Sequence, residues 1–526
     1  MNNPNQLVLP NHKDEVPALF ERYKDQETSL VWIFHAMVRH DRIELAEMYI
    51  RMACQDKPNR AMPLILLCYV LLLQDKKMEE MRISAQILKW VRKTSEKDAD
   101  ELCGQIYNAV KEAYLSGKGA YVNGLLELAM RIRPYGKKLV IAKGENAAPS
   151  YEEFKGLIEQ SVRDFQAGNT ALPKVLRHFN DLNVRHIDEF KGKKVLCVFR
   201  QHAYASARAR EVEFFDFYEK TAKACGLDYR SFASDALVHT SSFSTDDFKN
   251  EVERLAKEII QWRPDYVYID NFLIHSDAEI SDFVKEKFTK LKRETGCCLI
   301  SFFADAWHLG QKNGLLWADE LVDAHHHTQS SYIGALPQEV EDKAFCYPCP
   351  YPQELFHFPE VEKDIFAAFH GSLHDIRAPW LVKIQNDELN VHVEVSDHSN
   401  TSELSTLEAY ARQFSRYDVS LLFSARNTVQ TAITGAVWES LLTGSMILEE
   451  KSEEVPDYLV PYVHYIPFQS YAQLKAALTY LEQDKDLINL IRDNATSFFK
   501  TYYSAHHFWS GMLSMADNGA RERENA

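Results

Sequence analysis

At 526 residues, with 46% hydrophobic residues and a net charge of −16, the chain has the balance of a soluble globular protein too long for one core; single cores stop growing at roughly 250–300 residues. No Lys/Arg block and no basic segment interleaved with aromatics is present, which excludes a nucleic-acid surface, and the apolar run Met62 to Leu73 falls short of the ~20 residues that cross a bilayer. The opening MNNPNQLVLPNHKDE has no basic stretch followed by an apolar core, and nine scattered cysteines make no disulfide framework, so a reducing, cytoplasmic setting is expected.

Up to about Tyr135 apolar residues recur at three- and four-residue spacing, as in Leu30-Ile33-Met37 and Leu125-Leu126-Leu128-Met130, which predicts helices. The pairs around Ile43 to Ala53 and Tyr121 to Ile132 end in basic, proline-bearing turns and suggest hairpins of tetratricopeptide type, although no clean period emerges. Tyr135 to Ser150 reads as a linker, and a helical stretch from Tyr151 runs on to about Phe190.

From Lys193 the text becomes strand, loop, helix, repeated. Strands are expected at Val195 to Phe199, Tyr229 to Ala233, Tyr266 to Ile269, Cys298 to Phe303 and Leu321 to Ala324. A second series has strands at Ile365 to Phe369, Val391 to Val395, Val419 to Phe423, Met446 to Leu448 and Val463 to Ile466. Alternation of this kind implies parallel sheets covered on both faces. The expected α/β organisation is a helical region over 1–150, a first doubly wound domain over 151–350, a second over 351–500, and a C-terminal helix over 501–526 returning to the first. A proline-rich crossover, Tyr347 to Phe358, joins the sheets, and ligands of such sheets bind at the carboxyl ends of the strands.

Glu439 lies on a predicted helix at the carboxyl edge of the second sheet, where a carboxylate can accept both hydroxyls of a ribose; the plain alternative is a solvated helix glutamate. Gly371 and Ser372 end a strand and open a loop before Arg377. A glycine there lets backbone N–H groups approach a pyrophosphate, and Arg377 adds a two-pronged contact. Arg426 falls on the same edge. In the first sheet the corresponding loops carry Arg200-Gln201-His202, Asp270-Asn271 and Asp305-Ala306-Trp307-His308. A general base for an inverting transfer would come from His202 or Asp305; Asp270 and Asp305 equally suit helix capping.

Two other chemistries are weighed and set aside. His325-His326-His327 with Cys346 and Cys349 resembles a zinc ligand set, yet only His325 and His327 share a strand face and no second CxxC follows, so no metal is expected. Neither GxGxxG nor GxxxxGK[ST] follows an opening strand, which argues against a dinucleotide enzyme or a nucleotide triphosphatase.

The segments AAFHGSLHDIR and GAVWESLLTGSMILEE, with the tail from Val455 to Trp509, resemble the two-Rossmann (GT-B) group 1 glycosyltransferases and within them the CgeB-like spore-maturation family. The resemblance covers roughly the last two-fifths of the chain. It implies a metal-independent transferase without a cofactor, moving a sugar from a nucleotide-diphosphate donor to a protein or glycan acceptor; the helical region, which the resemblance does not reach, is the expected docking place for a protein acceptor or a partner subunit. It also implies that Glu439 binds the donor ribose, Gly371 and Arg377 the diphosphate, and that His464 and Tyr465 line the same pocket. Ala436 stands where many relatives carry arginine, and Thr431 where related families place glutamate. These two departures keep open an inactive module serving as a helical scaffold.

Overall fold

The computed structural model describes residues 9–58, 60–91, 96–121, 123–132, 147–200, 214–238, 244–270, 278–303, 309–371, 377–395, 407–424 and 432–525. Its N-terminal region is helical, with Glu27–Arg39, Ile43–Asp56, Ala61–Leu73, Lys77–Val91, Glu96–Leu115 and Asn123–Ile132 following one another. Ala61–Leu73 is apolar all round and buried from Pro63 to Leu71, so it forms the axis against which amphipathic neighbours pack. Three turns between these helices share one construction. At Asp41, Asp75 and Gly117 the backbone is left-handed (φ 56°, 55° and 68°), and the next amide reaches back to the carbonyl five residues earlier, Arg42 to Met37 (2.9 Å), Lys76 to Leu71 (2.9 Å) and Lys118 to Ala113 (2.8 Å). That bond satisfies a carbonyl left open at the helix end and reverses the chain into a hairpin.

Two sheets follow. The first contains β1 (Lys194–Phe199), β2 (Asp228–Ala233), β3 (Tyr266–Asp270), β4 (Cys298–Phe303), β5 (Ala324–His327) and β6 (Ala344–Cys346), ordered β2-β1-β3-β4-β5-β6 with every pair parallel. The second contains β7 (Ile365–Gly371), β8 (His392–Val395), β9 (Tyr417–Leu422), β10 (Met446–Glu450) and β11 (Ile466–Phe468), ordered β11-β10-β9-β7-β8, again all parallel. The expected fold class, two doubly wound parallel sheets behind a helical region, is therefore what the chain adopts. Each sheet reverses its strand order beside its opening strand, between β1 and β3 and between β7 and β9.

Some elements differ from the sequence expectation. The strand expected at Leu321 to Ala324 begins at Ala324 and runs through the three histidines, which are buried like any parallel-sheet strand. The final strand starts at Ile466 and not at Val463. The C-terminal helix expected over 501–526 is Ala505–Asn525, and a separate helix, Lys485–Tyr502, ends just before it.

Alternate residues of each strand enter different cores. Val195, Cys197 and Phe199 face a core shared with Trp438 of the second sheet's helix Gly435–Leu442 and with Trp509 of the last helix; Leu196 and Val198 face helices Thr245–Trp262 and Ala278–Thr295. In the second sheet Leu422 and Ile447 enter the shared core, whereas Val419, Leu421, Met446 and Leu448 join a core continuous with the N-terminal helices. Helix Ala378–Asn386 makes that connection by packing on Glu96–Leu115. The second sheet is thus the middle layer.

The last helix crosses the first sheet at very short range. A Cβ on Gly519 would stand 2.1 Å from the Asp323 carbonyl oxygen, and one on Gly511 2.6 Å from the Phe345 ring. Asp517 fastens the same helix through the Tyr266 hydroxyl (2.8 Å) and an ion pair with Arg185.

Candidate functional site

In open parallel sheets the ligand crevice lies outside the carboxyl ends of the strands, where the strand order reverses. At that point in the first sheet Arg200 follows β1 and Asp270 ends β3, with Arg200 Nε 3.7 Å from an Asp270 carboxylate that is 1% exposed. The crossover from this sheet to the next passes close by. Burial above all, with the neighbouring Asp270 carboxylate adding, pushes the Cys349 thiol up to about 12. Two residues on, Tyr351 packs its ring on Phe217 of the first sheet's helix Phe214–Ala224 (5.1 Å). Its hydroxyl lies 3.1 Å from the position a Cβ on Gly435 would take, and Glu439 Oε1 lies 3.4 Å from that same position. A glycine at 435 is what lets both groups approach the start of the helix.

Glu439 is half-buried, and its Oε2 accepts a hydrogen bond from the Tyr410 hydroxyl (2.5 Å). Tyr410 stands edge-on to His370 (5.1 Å) near the carboxyl end of β7. Asp270 and Glu439 therefore lie to either side of the crossover, and Glu439 faces the junction of the two sheets. An open cleft of about 380 Å³ borders this junction, lined by Asp216 and Lys220 from one sheet domain and Leu407 and Glu408 from the other.

Gly371 ends β7 at the second reversal point. Arg377, 7% exposed, starts helix Ala378–Asn386 and donates from Nη2 to the Phe423 carbonyl (2.9 Å), so its guanidinium is held at the end of β9. Beneath it Glu449, fully buried, accepts from the Ser424 hydroxyl and is pushed up to about 8 by burial, against which Ser424 and the Arg377 charge act. A carboxyl raised in the folded state keeps its proton there while the unfolded chain has lost it, so stability falls as pH rises from the ordinary carboxylate range toward 8. Glu449→Gln is expected to gain stability relative to the parent between pH 5 and pH 8, as urea unfolding at a series of pH values will read; parallel curves would show that Glu449 does not titrate there.

His464 and Tyr465 are corrected by the structure. Both precede β11, at its amino end, and so lie across the sheet from the carboxyl-edge crevice. His464 is fully buried, stacked on Phe498 (4.0 Å) and edge-on to Phe165 (5.0 Å), with Nδ1 accepting from the Val460 amide (3.1 Å). Its place is in packing. His202, Asp305, Ser372 and Arg426 lie outside the described residues, as do Thr431 and Asn271.

The histidine triplet is occupied by other partners. His325 bonds Ser301 (2.7 Å) and Asp319 (3.0 Å), and His326 bonds the Tyr268 hydroxyl (2.6 Å) and the Tyr347 carbonyl (2.9 Å). With both ring nitrogens engaged, neither has one to offer a metal. Among the described residues no group of three His, Cys, Asp or Glu side chains converges as a metal-ligand set.

Sequence reasoning did not single out Tyr351 and Tyr410, the two tyrosines around Glu439. Neither carries a local signature, since each reaches Glu439 only through the fold. A carboxylate at the carboxyl edge of one doubly wound sheet, opposite a second sheet across a short crossover, defines a two-domain α/β protein with a cleft at the domain junction.

Searches of family models and of curated proteins give no match to this chain. Among solved structures, HepE of Anabaena in complex with UDP and glucose is similar at 9% identity over 64% of this chain and 100% of that one (TM-score 0.40). An alpha-glucosyltransferase in complex with UDP-glucose and DNA containing an abasic site is similar at 10% identity over 62% and 100% (TM-score 0.44). Sucrose-phosphate synthase from Thermosynechococcus elongatus is similar at 10% identity over 64% and 100% (TM-score 0.42). These likenesses are loose, and the tandem arrangement of sheets rests on the strand order and register given above.

Proposed function

We propose that the chain is a glycosyltransferase of the two-Rossmann class and CgeB-like kind, moving a sugar from a nucleoside diphosphate donor to a protein or glycan acceptor in the cytoplasm. The observation that carries the reading is the half-buried Glu439 carboxylate at the junction of the two sheets. In it, Glu439 takes the donor ribose, and Gly371, Ser372, Arg377 and Arg426 the diphosphate. Arginine charge and backbone N–H groups offset the charge developing on the leaving diphosphate, so no metal is required. The acceptor sits against the first sheet, where His202 or Asp305 acts as base if the course is inverting. The helical hairpins, of tetratricopeptide type in this reading, receive a protein acceptor.

The alternative, an inactive scaffold, is favoured by two departures from the resembled family: Ala436 stands where many of its members carry arginine, and Thr431 where related families place glutamate. A donor-hydrolysis assay over a panel of uridine and guanosine diphosphate sugars separates the two. Release of nucleoside diphosphate from at least one donor supports the transferase. No release, with no heat of binding for any nucleoside diphosphate, leaves the scaffold.

A further inference from the structure

Between β10 and β11 the chain places a buried carboxylate, Glu454, 4% exposed, exactly where neither strand pattern nor motif calls for one. Its two oxygens serve different halves of the molecule. Oε1 accepts from the Ser330 amide (2.9 Å) and from the Gln329 side-chain amide, both just after β5 of the first sheet. Oε2 accepts from the Ile433 amide (2.8 Å), one residue before Thr434, the N-cap of the Glu439 helix. Four residues on, the Tyr458 hydroxyl donates to the Thr328 carbonyl (2.8 Å), gripping the same first-sheet segment, while its ring meets Trp438 of the Glu439 helix (5.6 Å).

We propose that Glu454 is a positioning residue that ties the amino end of the Glu439 helix to the first sheet and so sets the placement of Glu439 across the cleft. The effect on a donor rests on the function proposed above; the tie itself does not. Buried amides aimed at one carboxylate have no water to replace it, so its removal frees both anchored segments together. Glutamine matches the shape but presents an NH₂ group in place of one acceptor oxygen, and cannot accept from both sides.

Burial pushes Glu454 up to about 7, while the Ile433 and Ser330 amides act to hold it down. Facing it are Asp457 and Tyr458 on its own loop, Tyr332 after β5, Cys346 on β6, and Lys174, whose Nζ donates to the Ser330 carbonyl (3.1 Å). A carboxyl raised by burial in the closed arrangement favours that arrangement in its protonated form, so the tie is strongest near pH 5 and weakens as pH rises toward 7.

The test is amide hydrogen exchange of the full chain without ligand, followed by mass spectrometry. In Glu454→Gln, peptides holding Ser330 and Ile433 are expected to exchange about tenfold faster, the worth of one hydrogen bond to a charged group, with the helical N-terminal peptides unchanged. Unchanged exchange at both peptides, or an equal rise everywhere, overturns the proposal. Should the variant fail to fold, the parent decides: after correction for intrinsic rates, protection at both peptides should drop together as pH rises from 5 toward 8, and a flat profile overturns the tie. Nucleoside diphosphate calorimetry is read separately. An affinity lost in Glu454→Gln with Glu439 intact supports the link to the donor, whereas a parent that binds no nucleotide defeats the proposed function and leaves the exchange result standing.

Discussion

Glu439→Ala is expected to lower affinity for a nucleoside diphosphate donor by about 100-fold. A carboxylate accepting two ribose hydroxyls gains roughly 1.5–3 kcal/mol per hydrogen bond, or ~10²–10⁴-fold for the pair. The low end is the appropriate choice, because Tyr410 already donates to Oε2 and a ribose has to displace or share that bond. Glu439→Gln keeps one good acceptor and should lose about tenfold. Calorimetry at fixed salt, on variants whose melting matches the parent, measures both. Equal affinity in parent and alanine variant would remove Glu439 from the site, whatever the fate of the activity.

Gly519→Ala is expected to destabilise the fold by about 3 kcal/mol, at the upper end of overpacking costs. A methyl group there would stand 2.1 Å from the Asp323 carbonyl oxygen, and neither partner can yield cheaply. Asp323 is held by its amide on the Leu299 carbonyl (2.7 Å), by the Leu299 amide on its carboxylate (2.8 Å) and by Lys292 (2.8 Å). The helix is held by Asp517 and by Trp509, whose indole donates to Thr221 (3.2 Å). Gly156 is the contrast: it is helical with nothing within 4 Å of its built Cβ, and alanine there should stabilise by up to ~1 kcal/mol through helix propensity. Urea unfolding of the two variants side by side gives the answer, and a Gly519→Ala protein as stable as its parent would mean that helix and strand do not meet this closely.

Much of this architecture is legible in the chain because parallel strands buried on both faces are continuous apolar runs, as in Val195 to Phe199 and Cys298 to Phe303. What escapes is equally physical. Three histidines read as polar punctuation, and partners from β3, β4 and the crossover, far away in sequence, help to make them acceptable in β5. β11 is short, carries Pro467 and sits at the sheet edge, where proline is tolerated, so its apolar pattern drifts three residues upstream. The placing of Glu439 at a carboxyl edge follows from strand-helix alternation alone. Tyr351, Tyr410 and Glu454 do not: Tyr351 and Glu454 make contacts on both sides of the junction, and Tyr410 reaches Glu439 from a separate helix 29 residues away, so none leaves a spacing to detect.

The middle position of the second sheet has a practical consequence for anyone dissecting the molecule. Cutting away residues 9–132 would strip the cover from Trp380, Leu381 and Val382, which share a core with those helices, and bare an oily strip on the back of the second sheet. Such a fragment should clump in solution even with every strand intact, so the sheets are best studied with their helical cladding left on.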